Sequence, residues 1–146
     1  MVTVRRMEER DIKAAARLEA ENFSVPWSEQ AYADTLLCDY AYYFVAEEGR
    51  EVIGVCGLRN IAGEGEITNV VVSKPFRRRG TAGMLLETVL TAGAALGIED
   101  FTLEVRCGNR PAICLYEKFG FKNEGIRRNF YDKPKEDAII MWRRKR

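Results

Sequence analysis

The order in which strand and helix patterns follow one another constrains the fold of this chain more than any other feature. Three apolar, β-branched or aromatic runs come first, at residues 42–46, 52–58 and 67–72, and short turns join them. Helix patterns at residues 81–96 and 109–119 then alternate with strand patterns at residues 101–105, 121–128 and 138–142. An antiparallel meander followed by alternating helices and strands predicts the α+β class, with one sheet at its centre.

The first forty residues add one more strand and two more helices. Val2 and Val4 alternate with polar residues, which predicts a short strand. Residues 8–21 have an acidic first turn and an apolar residue every third or fourth position, which predicts a helix, and Ser28 can cap a second one. Because 146 residues suffice for one core, we expect a single domain over residues 1–146.

The chain contains no histidine, which removes most of the common catalytic arrangements. A Ser-His-Asp triad, a Cys-His pair and an HExxH metal site are all excluded. A general acid or base must therefore be Asp, Glu, Tyr, Cys, Lys or a water molecule. Since no two of the four cysteines form a CxxC pair, a zinc ribbon is excluded as well, and we expect no metal.

Charge and hydropathy limit the possible partners and the cellular compartment of the protein. Lys and Arg number 23 and Asp and Glu number 22, so the net charge is +1 and no global field favours nucleic acid. We expect the four cations at residues 143–146 to form a frayed, solvated tail. No apolar run follows the basic pair near the N-terminus, and no stretch approaches the ~18 apolar residues of a membrane span. We therefore expect a cytoplasmic protein with reduced thiols and no membrane contact.

A basic loop that contains glycine joins the strand at residues 67–72 to the helix at residue 81. Its residues are Arg77, Arg78, Arg79, Gly80, Thr81, Ala82 and Gly83. Small residues let the backbone approach a ligand closely, and the first N–H groups of a helix have no partner within it, so the loop predicts a phosphate site. It is neither a Walker A motif nor a GxGxxG fingerprint. The alternative is a solvated basic turn at an ordinary helix start.

Two side chains are candidates for proton transfer. Glu104 lies in an alternating strand whose apolar residues share one face, and Thr102 and Arg106 share its own face. A partly desolvated carboxylate there suits a general base, while the alternative is an exposed glutamate paired with Arg106. Tyr116 lies on the helix that Asn109 caps, and its hydroxyl can give a proton to a thiolate. A core tyrosine is the alternative for Tyr116.

Together, these segments resemble the GNAT N-acetyltransferase family, and most closely its bacterial ribosomal-protein-alanine N-acetyltransferases, the RimI type. The matching segments include PWS at residues 26–28, RRRGTA at residues 77–82, LEVR at residues 103–106, LYEKFGF at residues 115–121 and RRNFY at residues 127–131. The match follows the family's order along the whole chain. The loop by itself indicates only GNAT, whereas the other segments indicate acetylation of protein N-termini.

The resemblance implies a twisted, mostly antiparallel sheet of about seven strands, splayed in its middle, with about four helices. Acetyl-CoA would lie in the splay, and the acceptor would be the N-terminal alanine of a small-subunit ribosomal protein. Glu104 matches the family's general base and Tyr116 its general acid. The cofactor contacts implied are Val70, Val71 and Val72 on the strand, Arg77, Arg78, Arg79, Gly80, Thr81, Ala82 and Gly83 in the loop, and Asn109. No metal and no specific nucleic acid are implied, and the oligomeric state stays open, a monomer being compatible with the sequence.

Three alternatives remain at this point. The acceptor could be another protein N-terminus, a lysine or a small amine, because substrate walls are loops and loops vary. The chain could be an acetyl-CoA-binding module without activity, although the presence of both Glu104 and Tyr116 favours catalysis. A covalent route through Cys107 or Cys114 lacks a histidine to activate the thiol, so we expect direct transfer.

Overall fold

One seven-stranded sheet carries helices on both faces in the computed structural model, which describes residues 1–145. The strands are β1 (Val2–Arg6), β2 (Ala41–Glu48), β3 (Glu51–Ile61), β4 (Glu64–Val72), β5 (Phe101–Arg106), β6 (Lys122–Tyr131) and β7 (Glu136–Arg143). The helices are α1 (Ile12–Asn22), α2 (Glu29–Leu36), α3 (Thr81–Ala95) and α4 (Arg110–Lys118). The predicted α+β class and its main elements are confirmed.

The strands follow the order β1-β2-β3-β4-β5-β7-β6, and every neighbouring pair is antiparallel except β4 and β5. Helices α3 and α4 pack on one face, where Leu86, Val89 and Ile113 join the main apolar core. Helices α1 and α2 cover the opposite face, where Ala15 and Tyr32 pack in a second core. Each helix thus buries one apolar stripe against the sheet, as the spacing of its apolar residues predicts.

The parallel pair β4–β5 is joined only at its beginning. Gly65 is paired with Phe101 and Glu66 with Thr102, and the ladder stops there. The Phe101 ring packs so closely on Gly65 that a Cβ at this position would lie 2.6 Å from it, so the joined end needs glycine. Beyond this point the two strands part, which confirms the predicted splay in the middle of the sheet.

Two details near the chain ends differ from the sequence-based prediction. Residues 9–11 form a 3-10 turn before α1, because the buried Asp11 carboxylate accepts the Glu8 N–H at 2.8 Å and fixes the chain there. The basic C-terminal segment is not frayed over its described part. Arg144 donates to Glu124 at 2.9 Å, and Lys145 Nζ lies 3.5 Å from Glu99, while Arg146 lies outside the described residues.

Candidate active site in the cleft between β4 and β5

The parting of β4 and β5 opens a cleft of about 690 Å³ through the middle of the sheet. Its walls are residues 67–70 of β4 and residues 103–106 of β5. The end of α1, the α1–α2 loop and the β6–β7 loop complete the rim. A cleft of this size, lined by both apolar and titratable side chains, is the expected place for a substrate.

The β4 edge that faces the cleft carries peptide groups that are not paired with β5. The Ser73 N–H donates to the Ile53 carbonyl at 2.8 Å, so the peptide group of Ser73 points to β3. Since successive residues of a strand direct their peptide groups to alternate sides, those of Val72 and Val70 point away from β3, toward the cleft side. Arg77 Nε donates to the Val72 carbonyl at 3.1 Å, as this direction requires. An extended ligand arm could therefore bind along β4 in place of a strand.

Glu104 lies in the β5 wall, with 28% of its side chain exposed. Its Oε2 atom is buried and receives no hydrogen bond from the described residues, but Arg127 Nε lies 3.1 Å away as an ion-pair partner. The alternative pairing with Arg106 is wrong, because Arg106 donates to Glu136 at 3.1 Å instead. The carboxylate is thus accessible from the cleft, as a proton acceptor must be.

Tyr116 and Asn109 approach the same cleft from α4. The Asn109 side chain caps this helix by accepting the Ala112 N–H at 3.3 Å, which confirms the predicted start. Tyr116 is 6% exposed, its ring packs 6.1 Å from that of Phe121, and it lines the cleft. Burial raises the pKa of the Tyr116 hydroxyl. The hydroxyl therefore stays protonated at neutral pH and can serve as a proton donor.

The basic loop lies outside the cleft, at the N-terminus of α3. Gly80 precedes the helix with φ of 81°, a conformation that favours glycine, and Arg78 has φ of 64°. Thr81 is 2% exposed, and its Oγ1 has no hydrogen-bond partner among the described residues. A buried hydroxyl without a partner, beside the unpaired N–H groups of a helix start, fits a phosphate ligand.

Two of the three loop arginines are already engaged within the protein. Arg77 bridges the Val72 carbonyl and the Asn22 side chain, so it ties the end of α1 to the end of β4. Arg79 pairs with Glu48 at 2.5 Å and lies over the Phe76 ring. Arg78 is exposed. The loop therefore offers Arg78 to an incoming anion, whereas Arg77 and Arg79 hold the loop in place.

The rim of the cleft is joined across its mouth. Ser24 of the α1–α2 loop donates to the Asp132 carbonyl of the β6–β7 loop at 3.3 Å. Arg106 donates to the carbonyls of Asp132 and Pro134 and lies 4.5 Å from the centroid of the Tyr131 ring. Burial, with the charge of Glu104 nearby, raises the pKa of Tyr131 to about 12. One guanidinium on β5 thus fixes the loop that borders the site.

A buried carboxyl that the sequence-based analysis missed lies at the end of α1. Glu19 is 2% exposed and lines the cleft. Its Oε1 accepts the Trp27 N–H at 3.2 Å and the Asn69 amide at 3.4 Å. Burial raises the pKa of this carboxyl. The sequence did carry a signal, because Glu19 follows Ala15 by four positions and so lies on the buried stripe of the helix.

The structure brings only part of the predicted site into one cavity. Val70, Glu104, Asn109 and Tyr116 line the cleft together. The side chains of Val71 and Val72 are buried in the cores on the two faces, so only their main chain is available to a ligand. Residues 77–83 lie at the start of α3, beyond the end of β4.

Neither a metal centre nor a membrane span is found in the part of the chain that the structure describes. Within residues 1–145, His, Cys, Asp and Glu side chains do not gather in groups of three or more that could hold a metal ion. Over the same residues, no helix has the length and apolar character needed to cross a membrane.

Known proteins resemble this chain in sequence and in structure. A ribosomal protein bS18-alanine N-acetyltransferase of Escherichia coli (strain K12) is 32% identical over 143 residues, which cover 97% of this chain and 96% of the relative. A relative from Bacillus subtilis (strain 168), provisionally given the same name, is 34% identical over 95% of this chain and 93% of its own length. The crystal structure of the ribosomal-protein-S18-alanine N-acetyltransferase from Escherichia coli superposes with a TM-score of 0.90 at 31% identity, covering 97% of this chain and 92% of that one.

The family assignment rests on most of the chain. Residues 12–121 match the model of the Acetyltransferase (GNAT) family, a stretch that runs from the start of α1 to the residue before β6. It contains β4, β5 and α4, the elements that carry Val70, Glu104, Asn109 and Tyr116 in the cleft. This chain belongs to the GNAT family of acetyltransferases.

Proposed function

We propose that the protein transfers the acetyl group of acetyl-CoA to the α-amine of the N-terminal alanine of a small-subunit ribosomal protein. Residues 1–146 would form one acetyltransferase domain for this reaction, working in the cytoplasm, where ribosomal proteins are made. One observation carries the proposal: the parted strands place the open β4 edge, Glu104 and Tyr116 around a single cleft. The names of the Escherichia coli and Bacillus subtilis relatives support the acceptor.

The described residues fit acetyl-CoA at two places. The peptide group of Val70 and the N–H of Val72 face the open side of β4, where they can hydrogen-bond the amides of the pantetheine arm, whereas the Val72 carbonyl is held by Arg77. The α3 start, with the unpartnered Thr81 hydroxyl and the exposed Arg78, can hold the pyrophosphate. Asn109 lines the same cleft as Val70 and Tyr116. When bound, acetyl-CoA supplies the acetyl group as an activated thioester.

Residues of this chain carry out each step of the transfer. Glu104, acting through a water molecule, takes a proton from the α-ammonium of the acceptor. The neutral amine attacks the acetyl carbon directly, and an N–H of the strand at residues 70–72 stabilises the negative charge that develops on oxygen. Tyr116, kept protonated by its burial, gives a proton to the departing sulfur, and the proton that the attacking nitrogen loses as the amide forms returns to this hydroxyl through water. The acetyl group thus passes to the amine in one transfer.

The acidity of the acceptor favours an α-amine over a lysine. An α-amine has a pKa of about 7.7–8.0, whereas that of lysine is about 10.4. Deprotonating lysine at neutral pH therefore costs about 3.5 kcal/mol more, from a gap of about 2.6 pKa units. A carboxylate that acts through water is a modest base, so it suits the more acidic of these two acceptors.

Acetylation of two matched peptides, read by mass, tests the proposal. The first peptide begins with the free alanine of the small-subunit ribosomal protein. The second has the same sequence with that amine blocked and its lysines free. We expect acetyl-CoA-dependent modification of the first peptide only.

The other outcomes each point to a different reaction. Modification of the blocked peptide would make the protein a lysine acetyltransferase. If a folded protein modifies neither peptide, the proposed acceptor is wrong, and small amines become the substrates to test. A folded protein that also fails to bind CoA in a calorimetric titration would contradict the proposed cofactor site.

A further inference from the structure

Glu19, which lines the cleft, has a carboxyl group with an unusual pattern of hydrogen bonds. Its carboxyl is almost completely buried, yet only one of its two oxygens is used within the protein. Oε1 accepts hydrogen bonds from Trp27 and Asn69, whereas Oε2 has no partner among the described residues. Buried carboxyl oxygens are normally hydrogen-bonded, because they lose their contacts with water on burial. The Oε2 atom is therefore suited to a donor that arrives with a ligand.

The surroundings of Glu19 fix its position firmly. Asn69, which donates to it, accepts in turn from the Tyr43 hydroxyl at 3.0 Å. Trp27, the other donor, packs 5.8 Å from the Tyr43 ring. Glu19 thus joins α1, the α1–α2 loop and β4 at one point, and a group held from three elements can select among ligands by geometry.

This point lies on the acceptor side of the proposed reaction. Glu19, Trp27 and Asn69 all line the cleft, and Asn69 directly precedes Val70. The opposite wall of the same cleft carries Glu104. An acceptor peptide that enters along the α1–α2 loop would therefore pass Glu19 as its amine approaches Glu104.

We propose that Glu19 is an acceptor-binding residue whose Oε2 atom accepts a main-chain N–H from the first residues of the acceptor peptide. This inference rests on the proposed function, and it names a specificity contact within that site. A peptide chain brings N–H donors at regular spacing, whereas a small monoamine has none beyond its reacting nitrogen. The contact would thus favour peptides over small amines.

The substitution Glu19→Gln separates this contact from structural support. A glutamine keeps one carbonyl oxygen, which can still accept from Trp27 and Asn69. Its amide nitrogen replaces Oε2 and can only donate, so it opposes an incoming N–H. We expect the KM for the alanine peptide to rise about tenfold, as for the loss of a hydrogen bond to a charged group, and the KM for acetyl-CoA to stay within twofold.

Two modified peptides identify the donor by a double-mutant cycle. One carries an N-methyl group on the first peptide bond and the other on the second, so that each lacks one N–H. With the wild-type protein, we expect one of the two peptides to have a KM about tenfold higher. With Glu19→Gln, the same methylation should change KM less than twofold, because the contact is already lost.

Tyr32→Phe is the matched control. The Tyr32 hydroxyl is also buried and lies near Glu19 and Asn69, but Tyr32 does not line the cleft. We expect its KM for the peptide to stay within twofold of the wild-type value. A rise equal to that of Glu19→Gln would show that the cluster acts through packing and would overturn the proposal.

The remaining outcomes are distinguishable. An unchanged peptide KM in a folded Glu19→Gln protein overturns this inference alone, and so does a raised KM with the methylation effect intact. If Glu19→Gln does not fold, the wild-type protein decides: equal KM for all three peptides overturns the contact, and a tenfold rise for one supports it. A wild-type protein that acetylates none of the peptides refutes the proposed function, and the inference falls with it.

Discussion

Arg127 Nε lies 3.1 Å from Oε2 of Glu104, although the two residues belong to strands that are not neighbours. Strand β7 lies between them, so the arginine on β6 reaches across it to the wall of the cleft. The arginine side chain is 58% exposed, which makes this a solvent-screened pair. Arg127 thus contacts one carboxylate oxygen of Glu104, while the Glu104 side chain remains accessible from the cleft.

Glu104→Gln tests the proposed base. We expect kcat to fall at least about 100-fold, since a positioned base typically contributes that much. The remaining rate should rise as the pH passes the α-amine's range of about 7.7–8.0, because the acceptor then deprotonates without help. Rates from pH 6 to 9 with saturating substrates measure both effects.

The control for this variant is Glu66→Gln. Glu66 is also a strand glutamate in an ion pair, 3.3 Å from Arg59, but it does not line the cleft. Its kcat should stay within twofold of the wild-type value. A Glu104→Gln protein whose pH profile matches that of the wild type would remove Glu104 from the mechanism.

Tyr116→Phe tests the proposed acid. The ring and its packing against Phe121 are kept, so we expect little change in Tm, while kcat falls about 100-fold. Because burial raises the pKa of Tyr116, the wild-type protein should lose no activity through ionisation of this hydroxyl up to about pH 10. Tyr40→Phe, at an exposed tyrosine, is the control. Full activity in Tyr116→Phe would assign proton donation to another group.

Replacing Cys107 and Cys114 together by alanine tests the covalent route. Desolvation and the Glu136 carboxylate raise the pKa of the Cys107 thiol, which lies 3.5 Å from that carboxylate. A thiol held in its neutral form is a poor nucleophile, so the double variant should keep its rate within about twofold. Mass spectrometry of the wild-type protein with acetyl-CoA alone should show no acetylated cysteine. A folded double variant without activity would instead support the covalent route through a cysteine.

Local patterns predicted the elements well, because their causes lie close together in the chain. Ser28 and Asn109 each accept the N–H three residues later, as capping residues do. In β5, the alternating residues Phe101, Leu103 and Val105 are all buried, as their period of two predicts. The caps and the alternation were thus available from the sequence alone.

Contacts between distant segments could not be predicted in this way. The alternation places Glu104 and Arg106 on one face of β5, yet Glu104 pairs with Arg127 and Arg106 with Glu136. Both partners come from the β6–β7 hairpin, whose register no local pattern specifies. The role of Glu19 likewise depends on Asn69 and Trp27 converging on it, which only the fold brings about.

Arg78→Gln tests the loop at the start of α3. Arg78 is exposed, whereas Arg79 already pairs with Glu48. We expect Arg78→Gln to raise the KM for acetyl-CoA about tenfold, as the loss of a hydrogen bond to a charged group does. Arg79→Gln, the matched control, should raise it about twofold. The Arg78 effect should shrink at high salt, since screening weakens exposed charge pairs. Equal effects of the two changes would contradict this division of roles.

Asp11→Asn tests the ion pair that fixes the start of α1. Arg5 donates to both Asp11 oxygens, at 2.8 and 2.9 Å, and the Glu8 N–H adds a third hydrogen bond. Burial opposes ionisation of Asp11, but these hydrogen bonds outweigh it and lower the pKa of the carboxyl. Because the pKa of Asp11 is lower in the folded than in the unfolded protein, the ionised carboxylate stabilises the folded state at pH values above the unfolded-state pKa of about 3.9. This stabilisation is lost as the pH falls through the folded-state pKa. We expect Asp11→Asn to cost about 2 kcal/mol of unfolding free energy at pH 7.

The pH dependence distinguishes this pair from a packing effect. In urea unfolding, the difference in unfolding free energy between the wild-type and Asp11→Asn proteins should be constant from pH 7 to about pH 4.5. It should narrow below about pH 4, as Asp11 of the wild-type protein becomes protonated. Glu9→Gln, at an exposed acid of the same turn, should change the unfolding free energy by less than about 0.5 kcal/mol. A difference that persists unchanged at low pH would mean that Asp11 acts through its shape and not through its charge.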